Sequence, residues 1–324
     1  MKLVFCGTPR FAVQTLEALC AAEHEIALVV TQPDRPVGRD RQLTAPPVKL
    51  AALEAGLAVV QPEKIRDNQE FRAQLEDLAP DAIVVVAYGR LIPPWMLALP
   101  RLGCINLHAS LLPRYRGAAP IQWAVANGDV FTGNTTMLLE EGLDTGPILL
   151  QRAFGIAPEL TAVELLDELA WGGAALMVKT LAGLADGSIQ PRPQNHATAT
   201  LAPILNREDG RMDFAARTAT ELKNRWRGFQ PWPGAFTALD GKKLIVHRME
   251  VADASTFAPP ADAEPGQMHV EEQRLFVACA GHTWLELLEV QMEGKKRLPA
   301  GEFLRGAGFS AGLAQGARLG AAAQ

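Results

Sequence analysis

The chain has 324 residues, 48% of them hydrophobic and 21% charged, and a formal net charge of −5. That length overfills one ordinary core, so two domains are expected, and the composition is that of a soluble globular protein. No apolar stretch approaches membrane-spanning length, so no membrane association is expected, and MKLVFCGTPR lacks the apolar run of a signal peptide.

In chain order, KLVFCG reads as a strand and RFAVQTLEALCAA as a helix with Phe11, Leu16 and Leu19 on one face. EIALVVTQ is a strand, VKLAALEAG a helix ending at Gly56, LAVVQP a strand and NQEFRAQLEDLA a helix. DAIVVVAYG is a continuous apolar, β-branched run, the pattern of a parallel strand buried on both faces. GCINLH is the next strand, PIQWAVANG a helix, TGNTTMLLE a strand and residues 160–187 a long helix or a pair. This βαβα order implies an α/β domain over 1–189 with a doubly wound, mostly parallel sheet. Residues 190–207, rich in Pro, Thr and Ala, are expected to form a linker over the surface. Over 208–324 short alternating strands separated by Asp-Gly, Ala-Gly and Glu-Gly turns suggest a small C-terminal antiparallel β-barrel, with an OB-like barrel as one candidate. The Gly/Ala-rich tail from Arg305 is expected to be weakly ordered.

Charge is uneven along the chain. Residues 1–208 hold 17 Lys and Arg against 22 Asp and Glu, and residues 209–324 hold 14 of each. A neutral domain can still present a basic face, so the negative total argues only weakly against nucleic acid. Cys6, Cys20, Cys104 and Cys279 have no paired spacing. They are expected to be small apolar residues of a cytoplasmic protein, with neither disulfides nor a metal site.

The stretch GCINLHASLLPRYRGAAP at 103–120 carries the chemistry. In a strand, residues i and i+2 share a face, so Asn106 and His108 point one way while Ile105 and Leu107 face the opposite layer. Both polar residues lie at the carboxyl end of their strand, where open α/β sheets bind ligands. A carboxamide can donate to a carbonyl oxygen as negative charge grows on it, and an imidazole can move a proton near neutrality. Acyl transfer suits the pair. A carboxylate beside the ring could come from Glu140, Glu141 or Asp144 in EEGLDTGPIL, and only the bracket of Gly142 and Gly146 favours Asp144. No Ser or Cys has a base at a spacing that suggests a covalent nucleophile, and the Ser110 hydroxyl reads as a turn residue.

INLHASLLPRYRGAAPIQ and EEGLDTGPIL, with FCGTPRFA, TQPDRPVGR, APPVKLAA, VVVAYGRLIP, LAPILNREDGRMDF and NRWRGFQPWPGAF, resemble the folate-dependent formyltransferase family from the first strand to the C-terminal barrel. The resemblance implies a Rossmann-like formyltransferase domain and transfer of a formyl group from 10-formyltetrahydrofolate to the α-amine of methionyl initiator tRNA. Carried over residue by residue, it makes Asn106 the oxyanion donor, His108 the group that stabilises the oxyanion and helps protonate the leaving nitrogen, and Asp144 the carboxylate that orients His108. Folate binding falls to Ser110, Leu111, Leu112 and Pro113, and to Arg90, Leu91 and Ile92. The same resemblance assigns the acceptor-stem end of the tRNA to the loop bearing Arg35, Arg39 and Arg41. That loop is long for a βα connection, and Asp40 and Gln42 stand in it where the family often has Gly or Lys. Lys242, Lys243, Lys295, Lys296 and Arg297, at turns of the barrel domain, are the candidates for phosphate contacts. No metal is implied, and nothing argues for more than a monomer.

Three other readings share parts of this pattern. A formyltransferase acting on glycinamide ribonucleotide would not need the barrel. One acting on an amino-sugar nucleotide often carries a second dinucleotide-binding domain, and no G-x-G-x-x-G follows a strand in the second half. A formyltetrahydrofolate hydrolase could use the same site with water in place of the amine. From another class, a non-catalytic RNA-binding module would tolerate loss of the Asn, His and Asp set, and all three are present.

Overall fold

Residues 1–38, 42–253, 255–306 and 317–320 are described by a computed structural model. They divide into two units. The first comprises Met1–Ile121, Val130–Ile156 and Glu164–Pro203, and the second comprises Gln122–Asp129, Ala157–Val163 and Ile204–Gln324.

The first unit is built on β1 (Lys2–Gly7), α1 (Arg10–Ala21), β2 (Glu25–Val30), a small hairpin of β3 (Arg35–Val37) and β4 (Gln42–Thr44), α2 (Pro47–Glu54) and β5 (Val59–Val60). Then come α3 (Gln69–Leu78), β6 (Ala82–Val86), the short α4 (Pro94–Leu97), β7 (Cys104–His108), α5 (Pro120–Ala126), most of which belongs to the second unit, β8 (Phe131–Leu138), β9 (Ile148–Gly155) and the long α6 (Ala162–Ala185), whose first two residues also do. The sheet order is β5-β2-β1-β6-β7-β8-β9. The pairs from β5 to β7 are parallel, while β7–β8 and β8–β9 are antiparallel. The apolar run of β6 is buried throughout, as a parallel strand covered on both faces requires. α1 buries Phe11, Ala12, Thr15, Leu16 and Leu19, one helical stripe. α3 starts where Asn68 accepts from the Phe71 N–H at 3.0 Å, an N-cap that satisfies an otherwise orphan donor.

β9 is an element that sequence periodicity did not suggest. Its ILLQRAFG is buried only at its first two residues and lies at the sheet edge, so it lacks the alternating pattern of a half-buried strand. α6 reaches the sheet because two adjacent residues have no side chain. A Cβ on Gly172 would stand 2.1 Å from the Phe154 ring, and one on Gly173 would stand 2.7 Å from Leu107. Leu107 therefore faces the helix layer, which leaves Asn106 and His108 to the other face of β7.

In the second unit, α7 (Ala219–Gly228) opens with a capping box between Thr218 and Glu221. β10 (Ala235–Leu239), β11 (Lys242–Val251), β12 (Met268–Glu271), β13 (Arg274–Cys279), β14 (Thr283–Met292), β15 (Leu298–Pro299) and α8 (Ala300–Gly306) follow. The antiparallel sheet runs β10-β11-β14-β13-β12, with β15 on β14. Asp240 and Gly241 turn the β10–β11 hairpin with φ of +49° and +72°, the left-handed pair that a two-residue turn needs. Alternate residues Leu244, Val246, Leu275, Val277, Leu285 and Leu287 form the core with Phe303 and Leu304 of α8. Trp226 packs against this core.

Where a β-barrel is expected, the described strands form an antiparallel sheet whose ladder does not close. Residues 317–320, part of the tail expected to be weakly ordered, bond to both edge strands. Leu319 N donates to Gly266 O at 2.8 Å, Met268 N to Ala317 O at 2.8 Å, and Gly320 N to Ala238 O at 2.9 Å. Leu319 is buried in the core and anchors the segment, a role that one leucine among Gly and Ala does not announce.

Candidate active site

Asn106 and His108 end β7 between β6 and β8, and both are buried, at 9% and 6% exposure. Burial of an amide is costly unless its polar atoms are bonded. The Asn106 carboxamide makes no side-chain hydrogen bond among the described residues, but its polar atoms are not among the solvent-inaccessible ones left without a partner, so they remain open to solvent. It is held by β-ladder geometry alone, with its amide available to a ligand.

The His108 ring is fixed by the turn that follows its strand. Its Nε2 lies 2.8 Å from the carbonyl oxygen of Tyr115. A carbonyl only accepts, so Nε2–H donates and the ring orientation comes from the turn after β7. Nδ1 then faces Asp144, 3.7 Å from Oδ2, which is ion-pair range and longer than a hydrogen bond. The turn is closed by the Ser110 hydroxyl donating to Arg114 O at 2.6 Å and by Leu112 N donating to the Thr135 hydroxyl at 3.1 Å.

Asp144 is the carboxylate that meets the ring, whereas Glu140 and Glu141 are exposed. Its backbone is left-handed, φ +50°, a conformation that Asp tolerates better than most residues. Its Oδ2 accepts from Gly117 N at 2.8 Å. The glycine bracket has a steric basis, since a Cβ on Gly146 would lie 1.9 Å from the Leu138 carbonyl oxygen. Gly146→Ala is therefore expected to push the Asp144 loop away from the ring and cut turnover about 10²-fold. Steady-state kinetics beside a thermal melt would check this, and unchanged turnover would deny the loop its importance.

Two further participants had no role assigned from the sequence, although Arg116 lies in the turn that follows the Asn106 and His108 strand. Gln194 is buried at 6% within an exposed stretch, and its Nε2 donates to Asp144 O at 2.8 Å and Gly146 O at 2.7 Å. Arg116, 7% exposed, donates to Gln194 Oε1 through Nε at 3.1 Å and Nη2 at 2.6 Å.

Comparison with known proteins decides the family. A formyl transferase family model matches residues 1–181, and the formyl transferase C-terminal domain matches residues 204–308. The chain belongs to the formyl transferase family. A methionyl-tRNA formyltransferase from Acidobacterium capsulatum is 65% identical over 94% of this chain and 96% of its own length. One from Koribacter versatilis is 57% identical over the same shares. Among solved structures, an N-formyltransferase from Helicobacter canadensis shares the fold with a TM-score of 0.65, at 17% identity over 90% of this chain and 99% of its own. HypX from Aquifex aeolicus, in complex with tetrahydrofolic acid, shares it with a TM-score of 0.59, at 17% identity over 94% of this chain and 47% of its own.

Within this formyl transferase the other candidate residues fall in distinct settings. Leu112 is buried with Met137 and Ile148, while Leu111 and Pro113 are half-buried. Ser110 is fully buried with its hydroxyl committed inside the turn. Leu91 is 80% exposed and Ile92 packs on the core beneath β6. Arg90 donates to Gln32 Oε1 at 3.0 Å and to the Glu63 carbonyl. Arg35 is exposed on β3, and Arg39 and Arg41 lie outside the described residues. The base of that loop is clamped by Lys49 Nζ on Asp34 at 2.8 Å, with Gln61 donating to the same carboxylate at 2.7 Å. These hydrogen bonds, Lys49 first, hold the Asp34 carboxyl below its ordinary pKa.

In the second unit, two basic clusters separated in sequence become neighbours. Leu244 pairs with Met292, and Glu293 N donates to Lys243 O at 2.9 Å, so Lys242 and Lys243 sit beside the turn bearing Lys295 and Lys296. Lys243 Nζ lies 4.0 Å from the centre of the Phe236 ring. Arg297 is paired with Glu289. The four thiols are free, and burial pushes Cys104 and Cys279 up to about 12, so neither is a nucleophile near neutrality.

Proposed function

We propose that this chain transfers the formyl group of 10-formyltetrahydrofolate to the α-amine of methionyl initiator tRNA, giving N-formylmethionyl-tRNA for translation initiation in the cytoplasm. The observation that carries the chemistry is the solvent-accessible Asn106 amide, free of a protein partner among the described residues, on the strand face it shares with His108, whose Nδ1 is turned to Asp144. The near relatives named methionyl-tRNA formyltransferase support the substrate. The folate supplies an activated formyl carbon and a nitrogen leaving group. As the amine adds, Asn106 donates to the formyl oxygen where negative charge develops, in a site already organised for it. Nε2 of His108 is occupied by Tyr115, which makes Nδ1 the nitrogen that handles a proton. Asp144 Oδ2 stands 3.7 Å from that nitrogen, facing the charge the ring carries while it holds the proton.

The residues fit the donor in kind. Leu111 and Pro113 offer partly exposed apolar surface beside His108, and Ile92 and Arg90 offer apolar and polar surface after β6. Ser110 contributes through the turn it closes. Catalysis belongs to residues 1–189, and 208–324 grip the tRNA through Lys242, Lys243, Lys295 and Lys296. Arg35, Arg39 and Arg41 contribute from the loop clamped by Asp34.

The test mixes the protein with 10-formyltetrahydrofolate and either methionyl initiator tRNA, methionyl elongator tRNA, or a small amine such as an amino-sugar nucleotide. N-formylated initiator tRNA is the expected product. Release of formate without an acceptor, or preference for the small amine, would overturn the reading.

A further inference from the structure

Residues 190–203 belong to the first unit and make four attachments around the candidate site. Arg192 and Ile148 exchange backbone hydrogen bonds at 2.8 Å, fixing the start of β9 just after the Asp144 loop. Gln194 holds the carbonyls of Asp144 and Gly146. His196 Nδ1 lies 3.0 Å from Arg116 Nη2. Finally, Tyr115 N donates to the Thr200 hydroxyl at 2.9 Å, Arg116 N to Thr200 O at 2.8 Å, and Ala202 N to Arg116 O at 2.7 Å. Both groups that face the His108 ring thus depend on this strap. The Tyr115 carbonyl shares its peptide with the Arg116 N–H that Thr200 fixes, and the Asp144 backbone hangs from Gln194.

We propose that Gln194 is a positioning residue for Asp144 in formyl transfer, set in orientation by Arg116. A carboxamide can be placed in two orientations, and only one directs its N–H groups at the two carbonyls. Arg116 selects it, because two guanidinium N–H groups on one atom require that atom to be oxygen. The arrangement is unusual for a buried guanidinium. Among the described residues no carboxylate lies within 4.0 Å of Arg116, so its charge is spent on a neutral amide rather than on an ion pair. A salt bridge would give orientation without this directionality. The left-handed backbone of Asp144 is the strained point that such a support has to hold, and the two accepted hydrogen bonds flank it.

This assignment rests on the formyl-transfer reading, and the test separates the two. Gln194→Glu keeps an acceptor for Arg116 and removes both donors to the loop, while Gln194→Leu removes everything. Each is expected to lower kcat for N-formylmethionyl-tRNA about 10²-fold, with KM for 10-formyltetrahydrofolate and for tRNA changed less than about threefold. Introduced on top of Asp144→Ala, Gln194→Glu should cost almost nothing further, because its effect runs through a side chain already gone. A kcat within about threefold of the parent, or a loss that adds in full to that of Asp144→Ala, would overturn the proposal. If the parent chain itself yields no formylated tRNA, the functional reading falls, and the positioning role with it.

Discussion

His108→Ala is expected to lower kcat for formyl transfer about 10³-fold, within the 10²–10⁴ that a positioned proton-transfer group contributes. The ring lies at 6% exposure and offers a ligand little surface, so KM for the donor should move little. Alanine also strips the buried Tyr115 carbonyl of its donor, which costs about 1–3 kcal/mol of stability and mixes a folding effect into the activity loss. His108→Gln addresses that, because its amide can still donate to Tyr115 while offering no titratable nitrogen toward Asp144. The same loss of kcat with a near-parental melting curve is the expected result for Gln. Asn106→Ala should cost about 10²–10³ in kcat, the range for removing one oxyanion donor, and little stability, since no protein partner is orphaned. Combined with His108→Ala it should add less than its full share, because both act on one developing charge. Near-normal turnover in either single variant would disprove the assignment.

The sheet and this strand end could be read from the sequence because their signals are local. Consecutive β-branched residues in β6 demand burial on both faces, and the parity of Asn106 and His108 against Ile105 and Leu107 fixes a common face. Asp144 was narrower. Three carboxylates competed within five residues, and the glycine bracket counted only because a backbone carbonyl, that of Leu138, occupies the space a Cβ at 146 would need. The features that escaped share a cause. Gln194 bonds to residues 48 and 50 positions away, and Arg116 to Gln194 78 positions away, so neither leaves a local pattern. A glutamine in a Pro- and Thr-rich stretch looks like solvated linker until the fold shows it buried. The 317–320 segment escaped similarly, since backbone hydrogen bonds to edge strands need no particular side chains. His108 supplies the complementary lesson. The glycine bracket pointed to the carboxylate that meets the ring, but the ring's Nε2 is bonded to a backbone carbonyl, and backbone acceptors carry no sequence signature.

Replacing Lys242, Lys243, Lys295 and Lys296 together by Gln is expected to weaken binding of charged tRNA about 10²-fold near physiological salt. It should also flatten the dependence of log affinity on log salt by roughly 2 to 4, about one for each phosphate left without its cation. The register between β11 and β14 is what makes a joint effect expected. Two pairs of lysines far apart in sequence occupy adjoining turns, where one RNA backbone can meet them together. Asp240 and Glu293 share those turns and offset part of the charge, which keeps the expected loss below what four unopposed cations would give. Arg297→Gln alone should do less, because its guanidinium already answers Glu289. Lys243 has a further constraint, its ammonium lying over Phe236, so Arg should replace it better than a neutral residue does. At saturating tRNA the quadruple variant should keep the parental kcat and folate KM, since neither depends on reaching phosphates. An unchanged salt slope, measured by titration in increasing potassium chloride, would move the RNA grip off this sheet and onto the loop clamped by Asp34 and Lys49.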